Sequence, residues 1–381
     1  VEDLDAVTEK PKKTSSRRVD LKDLAEGVAG ASGDHSIDTD YLLRLIDLSN
    51  RINSAHHRLV AGEHGLGRAR YGLAVAGGTA AEWAGAFPHN PFQAPVIIDM
   101  SGDAAQLSAG LVEGHLDETT ELVRLLRLAR LEIDQPDGAD WKREALASLC
   151  WQDLNKEELA ICPPLVLLGS DEMLAGRGLS QLIWLLNSGL PVKVLVLSAL
   201  HFGLLEAPTN DPRGSLGLLA LAQRNAFVTH TSVADPDHLG NSILEALAFD
   251  GPALIQVYAP SPAQPGFASN QTVVQAQSAV AARVLPLFRY DPRGEGVFGS
   301  RISLDGNPAC EDALVRTDDD EQFLTPANWA LGQSRFDAQF EPLADKAPGP
   351  IPLQEWLQLD DKGRAGKTPF ISAGDGEDEQ R

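Results

Sequence analysis

Between residues 160 and 290, short runs of β-forming residues alternate with helical stretches, and this alternation constrains the fold more than any other feature of the chain. The runs are "PLVLLG", "VKVLVL", "AFVTHTSV" and "ALIQVY", separated by helical patterns of about ten to fifteen residues. Strands joined by crossover helices lie parallel, and their near-continuous apolar character fits a sheet covered on both faces. The expectation is therefore an α/β fold, a parallel sheet with helices on both faces. One helix is marked at both ends in "ADPDHLGNSILEALAFDGP". Asp235 stands as cap, Pro236 suits the first helical position, Leu239, Ile243 and Leu247 form a stripe, and Gly251-Pro252 stops it. Ligands of such sheets bind beyond the carboxyl ends of the strands, which directs attention to "GSDEM" after the first run and "SALHFG" after the second.

Two further helices are expected upstream. In "DTDYLLRLIDLSNRI" the residues Leu42, Leu43, Leu45, Ile46, Leu48 and Ile52 recur at helical spacing, and "ETTELVRLLRLARLEI" repeats the pattern. Residues 1–22, with "EKPKKTSSRR", have a linker's composition, and the ordered domain is expected over 23–310. After "RVLPLFRYDPRGEG" the composition turns to Gly, Pro, Asp and Asn. Residues 311–381 are expected to be an extended arm and acidic tail, interrupted by "PIPLQEWLQLDD".

Composition excludes several classes. With 381 residues and 43% apolar content, the chain has enough material for a substantial core. A net charge of -22, from 54 acidic against 32 basic residues, argues against nucleic acid or an anionic membrane as partner. No apolar run is long enough to span a bilayer. The chain begins at Val1 with no apolar signal core, so the expectation is a soluble protein, either processed or one domain of a longer one. The cysteines, Cys150, Cys162 and Cys310, form no CxxC pair, so spacing encodes neither a disulfide framework nor a zinc or iron-sulfur set, and a reducing cytoplasmic setting fits best. The nine histidines show no i, i+4 metal spacing with a partner Glu. "GEHGLGRARYG" follows no evident strand and reads as a turn.

The order and spacing of "SDEM", "LLNSGLPVKVLVLS", "AFDGPALIQVYAPS" and "LPLFRYDPR...ISLDGNP" resemble the C-terminal thiamine-diphosphate domain of the pyruvate:ferredoxin (2-oxoacid:ferredoxin) oxidoreductase family. Upstream, "VAGGTAAEWAGAFPHNPF" is similar to that family's Gly-Cys-Ser segment, with Trp83, Gly85, Pro88, Pro91 and Phe92 in step. The resemblance implies a thiamine-diphosphate-binding fold. It also implies a Mg²⁺-diphosphate site made by a Gly-Asp-Gly turn and the end of the next strand, and a [4Fe-4S] cluster on four cysteines. It places cofactor contacts at Gly78, Trp83, Ser170, Asp171, Glu172 and His201, with Asp171 the metal ligand.

At those positions this chain departs from the family. The cluster's cysteines become Ala29, Ser32, Thr79 and Ser261, which cannot replace thiolates, so no iron-sulfur cluster is expected. Gly-Asp-Gly becomes Ser170-Asp171-Glu172. Ser198, Ala199, His201 and Leu204 stand where the family's second set of cation-site residues lies. Asp171 alone reads first as a turn residue at a strand end and second as a ligand. At about 4 Å and an effective dielectric of about 20, a Glu172 carboxylate facing the diphosphate costs roughly 4 kcal/mol per charge pair. The expectation is thus a non-catalytic structural or interaction module of an oxidoreductase-like assembly. It binds no cofactor, has other subunits or domains as partners and possible homo-oligomers, and inserts in no membrane. The alternative is an active 2-oxoacid oxidoreductase portion binding thiamine diphosphate and Mg²⁺ in a modified site. Because the family's tuning carboxylate lies on another domain, the isolated chain is expected to be inert in either case. A small-molecule or regulatory binding domain on the same fold is a third option.

Overall fold

The computed structural model of the chain describes residues 39–85, 92, 94–134, 139–176, 178–199, 215–262, 266–308, 315–317 and 320–371. These divide between two compact units, residues 39–72 with 111–164 and residues 73–110 with 165–371.

In the first unit, helix α1 (Thr39–Val60) and most of the long helix α3 (Ala104–Asp134) supply the apolar contacts. Leu48, Ile52 and Ala55 at helical spacing on α1 pack with Leu122, Leu125 and Ala129 of α3, giving each helix one buried stripe. Leu43 and Ile46, which share the sequence periodicity, are exposed. The "GEHGLGRARYG" segment is a turn, with positive φ at Gly62, Gly65 and Gly67; at Gly67 a Cβ would meet the Leu59 carbonyl oxygen at 2.5 Å. Two short helices follow, α4 (Asp140–Ala147) and α5 (Lys156–Leu159).

The second unit is built on an eight-stranded sheet in the order β2-β1-β3-β4-β6-β5-β7-β8. Its strands are β1 (Gly72–Ala76), β2 (Val96–Asp99), β3 (Leu165–Ser170), β4 (Val192–Ser198), β5 (Phe227–Ser232), β6 (Ala253–Tyr258), β7 (Phe288–Tyr290) and β8 (Ile302–Ser303). β2 pairs with β1, β3 with β4, β4 with β6 and β6 with β5 in parallel, while β7 pairs antiparallel with both β5 and β8. All the runs read as strands from sequence are strands, in the parallel arrangement expected.

Helices cover both faces. Alternate residues of a strand point to opposite sides. On β6, Ile255 and Val257 pack with Ala246 and Phe249 at helix α9 (Pro236–Ala248), while Gln256 between them reaches helix α8 (Leu216–Gln223) on the other side. Helix α7 (Leu179–Asn187) lies beside α8 and buries Leu182, Leu185 and Leu186. Each such Leu contributes about 1.5–3 kcal/mol relative to exposure. On α9, Asp235 accepts from the His238 amide and Pro236 opens the helix, as the sequence implies. Leu239 and Ile243 pack inward, but Leu247 is exposed, and Ala246 takes the buried position instead.

Residues beyond 311 are not all arm. Trp329 and Phe336 join Tyr258, Ala276, Ala279, Leu285 and Leu287 in one buried cluster, with helix α10 (Thr272–Ala281) and helix α11 (Pro326–Leu331) bringing them together. Composition concealed this because two aromatic side chains in a Gly- and Pro-rich stretch suffice to anchor it.

Candidate functional site

The carboxyl ends of β1, β3 and β4 form one edge of the sheet, and the turns that leave them carry the residues singled out by sequence. β3 ends at Ser170, whose hydroxyl accepts from the Met173 amide and so caps helix α6 (Asp171–Ala175). Asp171 opens that helix. Its Oδ1 accepts from the Glu172 amide at 2.9 Å, and its Oδ2 accepts from Ser198 Oγ at 2.7 Å. Ser198 is the last residue of β4 and is 1% exposed, so the two strand ends are tied to each other by a buried hydroxyl and a carboxylate.

Glycines set how closely these turns approach. Gly78, φ +83°, accepts the first amides of helix α2 (Thr79–Gly85), and a Cβ there would meet Met173 Cγ at 3.3 Å. At Gly169 within β3, a Cβ would lie 2.9 Å from Leu174 Cγ and 3.0 Å from Ala76 Cβ, so only glycine lets α6 fold back over the strand. Gly178, before α7, is pressed against the Gly102 carbonyl, 2.9 Å from where its Cβ would be.

Gly78, Ser170 and Asp171 are thus gathered through Met173. Trp83 is not part of that contact: it lies a turn further along α2, half exposed, edge-on to Phe92 at 4.9 Å between ring centroids. Glu172 is exposed, so its carboxylate faces solvent, and the repulsion expected from sequence is largely screened. His201, Leu204, Ala29, Ser32, Pro88, Pro91 and Cys310 lie outside the described residues. Ser261 is exposed, three residues beyond the end of β6. Cys150 and Cys162 are free thiols of the first unit, and Cys150 donates to Asp153.

Several polar residues that sequence reasoning passed over sit on the strands, Asp99 half-buried at the edge and Lys193 and His230 buried within the sheet. Asp99, at the end of β2, accepts from the amides of Ser101, Gly102 and Asp103 and from the Ser101 hydroxyl. Burial, the largest single influence, raises its pKa, but the Ser101 side chain and the three amides together hold it below the usual carboxylate range. Lys193 on β4 is 4% exposed and donates to the carbonyls of Phe249 and Gly251, at 2.5 and 2.9 Å, capping the C-terminal end of α9. Burial lowers its pKa to about 8. His230 on β5 shares a hydrogen bond at 2.9 Å between Nδ1 and the Pro286 carbonyl, and burial pushes its pKa down to about 4. A lone polar residue inside a strand buried on both faces is the signal that marks such positions. Lys193 and Gln256 stand out in "VKVLVL" and "ALIQVY" on that criterion.

Chemically, the turn after β3 offers two carboxylates, Asp171, already bonded at both oxygens, and Glu172, exposed to solvent. Among the described residues no group of three or more His, Cys, Asp or Glu side chains is gathered as metal ligands. Mg²⁺ held beside a diphosphate wants near-octahedral oxygen coordination. The described residues do not fit it. No described helix is long and apolar enough to cross a membrane.

Fold and site together define a class: an α/β protein with a mostly parallel eight-stranded sheet whose carboxyl edge carries a carboxylate-hydroxyl pair. No protein family and no curated protein matches the sequence. Among solved structures the chain is similar to the 2-oxoglutarate:ferredoxin oxidoreductase from Magnetococcus marinus with 2-oxoglutarate, coenzyme A and succinyl-CoA bound. Identity is 12%, the TM-score 0.32, and the match covers 55% of this chain and 60% of that one. This chain therefore matches less than two thirds of that chain's length.

Proposed function

We propose that the chain is a non-catalytic module of thiamine-diphosphate-binding type, retained for structure or interaction in a 2-oxoacid:ferredoxin oxidoreductase-like assembly. The ordered segments that resemble that family motivate the assignment, because packing and catalysis draw on different residues of a fold. One observation carries the non-catalytic reading. Ser198 stands where the resemblance implies a cation-site carboxylate, and its hydroxyl donates to Asp171, so the two positions satisfy each other. A hydroxyl and a carboxylate in one hydrogen bond need no ion between them, whereas paired carboxylates need a cation or a shared proton.

The module's partners are other subunits or domains, in a reducing cytoplasm, with neither nucleic acid nor membrane among them. The second reading, an active portion with a modified cofactor site, is favoured by the retention of Asp171 at a strand's carboxyl end. The two are separated by assaying the purified chain with a 2-oxoacid, coenzyme A, thiamine diphosphate, Mg²⁺ and a low-potential dye. The non-catalytic reading expects no dye reduction above the protein-free control, including when a competent companion subunit is added with its own cofactor site disabled. Turnover in that mixture which is abolished by Asp171→Ala establishes the second reading.

A further inference from the structure

β2 is the first strand of the sheet, and among the described residues no strand pairs with its outer side. In the parallel register Leu73↔Val96 and Val75↔Ile98, with the Leu73 amide donating to the Pro95 carbonyl, the backbone groups that serve β1 belong to Pro95, Ile97 and Asp99. The amides and carbonyls of Val96 and Ile98 therefore project from the free edge. Natural sheets blunt such edges with lysine, proline or a covering element. β2 reads Val-Ile-Ile-Asp, with no basic residue, and its side chains are open on both faces: Ile97 is 41% and Ile98 37% exposed. Ile98 touches the α2 face, where a Cβ on Gly85 would lie 3.2 Å from its Cδ1, and Trp83 and Met100 extend the apolar surface at 52% and 76% exposure.

From this geometry we infer that β2 is an interface for a second copy of this chain, pairing antiparallel with its counterpart about a two-fold axis through Ile97. The register follows from the backbone. Centred on Ile97, Val96 of each copy faces Ile98 of the other, and both residues direct their free amide and carbonyl across the gap, closing reciprocal hydrogen bonds. The same register places Val96 against Ile98 on the α2 face and Ile97 against Ile97 on the opposite face, so only apolar side chains meet. Charge agrees with it. Asp99 is the only ionised residue of the strand. The register sets it against Pro95 of the other copy and leaves the two Asp99 residues about 13 Å apart along the strands, more than a Debye length at physiological salt. A self-complementary patch of this kind closes as a dimer and does not propagate. The inference does not rest on the functional reading above.

Sedimentation at tens of micromolar chain and physiological salt is expected to give twice the 40.8 kDa chain mass. Ile97→Lys, at an exposed position, is expected to return the monomer with an unchanged far-UV spectrum. The register itself is tested by Ile97→Cys in a Cys150→Ser background. Directly opposed residues of a non-hydrogen-bonded pair come within disulfide reach, so mild oxidation should cross-link Ile97→Cys and not the background alone. A wild-type monomer under these conditions overturns the inference, including one that binds an extended segment of another protein on this edge. So does a dimer that survives Ile97→Lys, or one whose Ile97→Cys variant fails to cross-link.

Discussion

His230 sets a pH dependence that a single residue decides. Its ring is 3% exposed and neutral in the folded state, with a pKa near 4 against 6.5 for a free histidine. Between those values the unfolded chain binds the extra proton, so this contribution to stability is complete above about pH 6.5 and is lost as pH falls toward 4. The amount is about 3 kcal/mol. Denaturant unfolding of wild type against His230→Gln isolates it from the carboxylates: the difference in stability should shift toward the variant across that window, and a pH-independent difference contradicts the assignment. At this scale sequence foresaw identities better than bonds. Ser170 and Asp171 sit at the strand end as the sequence implies, yet the Ser198 hydroxyl on Asp171 was invisible, because a contact across 27 positions depends on strand order. The contact of Trp83 with Phe92 was likewise not visible in the sequence.

At the scale of elements, the join between β6 and α8 depends on Gln256, which is 2% exposed and whose Oε1 accepts the Gly217 amide at 2.6 Å. Gly217 is a requirement of that approach, since a Cβ there would lie 2.8 Å from the same oxygen. Gln256→Leu keeps the bulk and strands a buried amide, which costs about 1–3 kcal/mol. Thermal or denaturant unfolding measures it, and an unchanged midpoint contradicts the role given to the amide. Strands β3, β4 and β6 were legible because each is apolar almost throughout, β5 because Phe, Val and Thr favour strands, and α9 because its cap and first-turn proline are explicit. β1 and β2 were not read as strands: "GLAVA" is glycine- and alanine-rich and "VIID" is very short, too little for periodicity to register. β7 and β8 were missed because three- and two-residue strands owe their existence to the β5 edge they pair with.

For the whole molecule, the sheet with helices on both faces was legible from alternation alone, since crossover connections leave few topologies open. The division into two units was not, because α3 runs through both and a continuous helix gives no compositional break. The packing of Trp329 and Phe336 into the second unit's core was hidden for the opposite reason, a broken composition around two anchoring rings. The proposed non-catalytic reading turns on the carboxyl edge of the sheet, where the Ser198 hydroxyl already occupies Asp171. Calorimetric titration of the chain with thiamine diphosphate and Mg²⁺ tests it most directly: the account predicts no binding heat up to millimolar cofactor, and a dissociation constant in the micromolar range or tighter contradicts it.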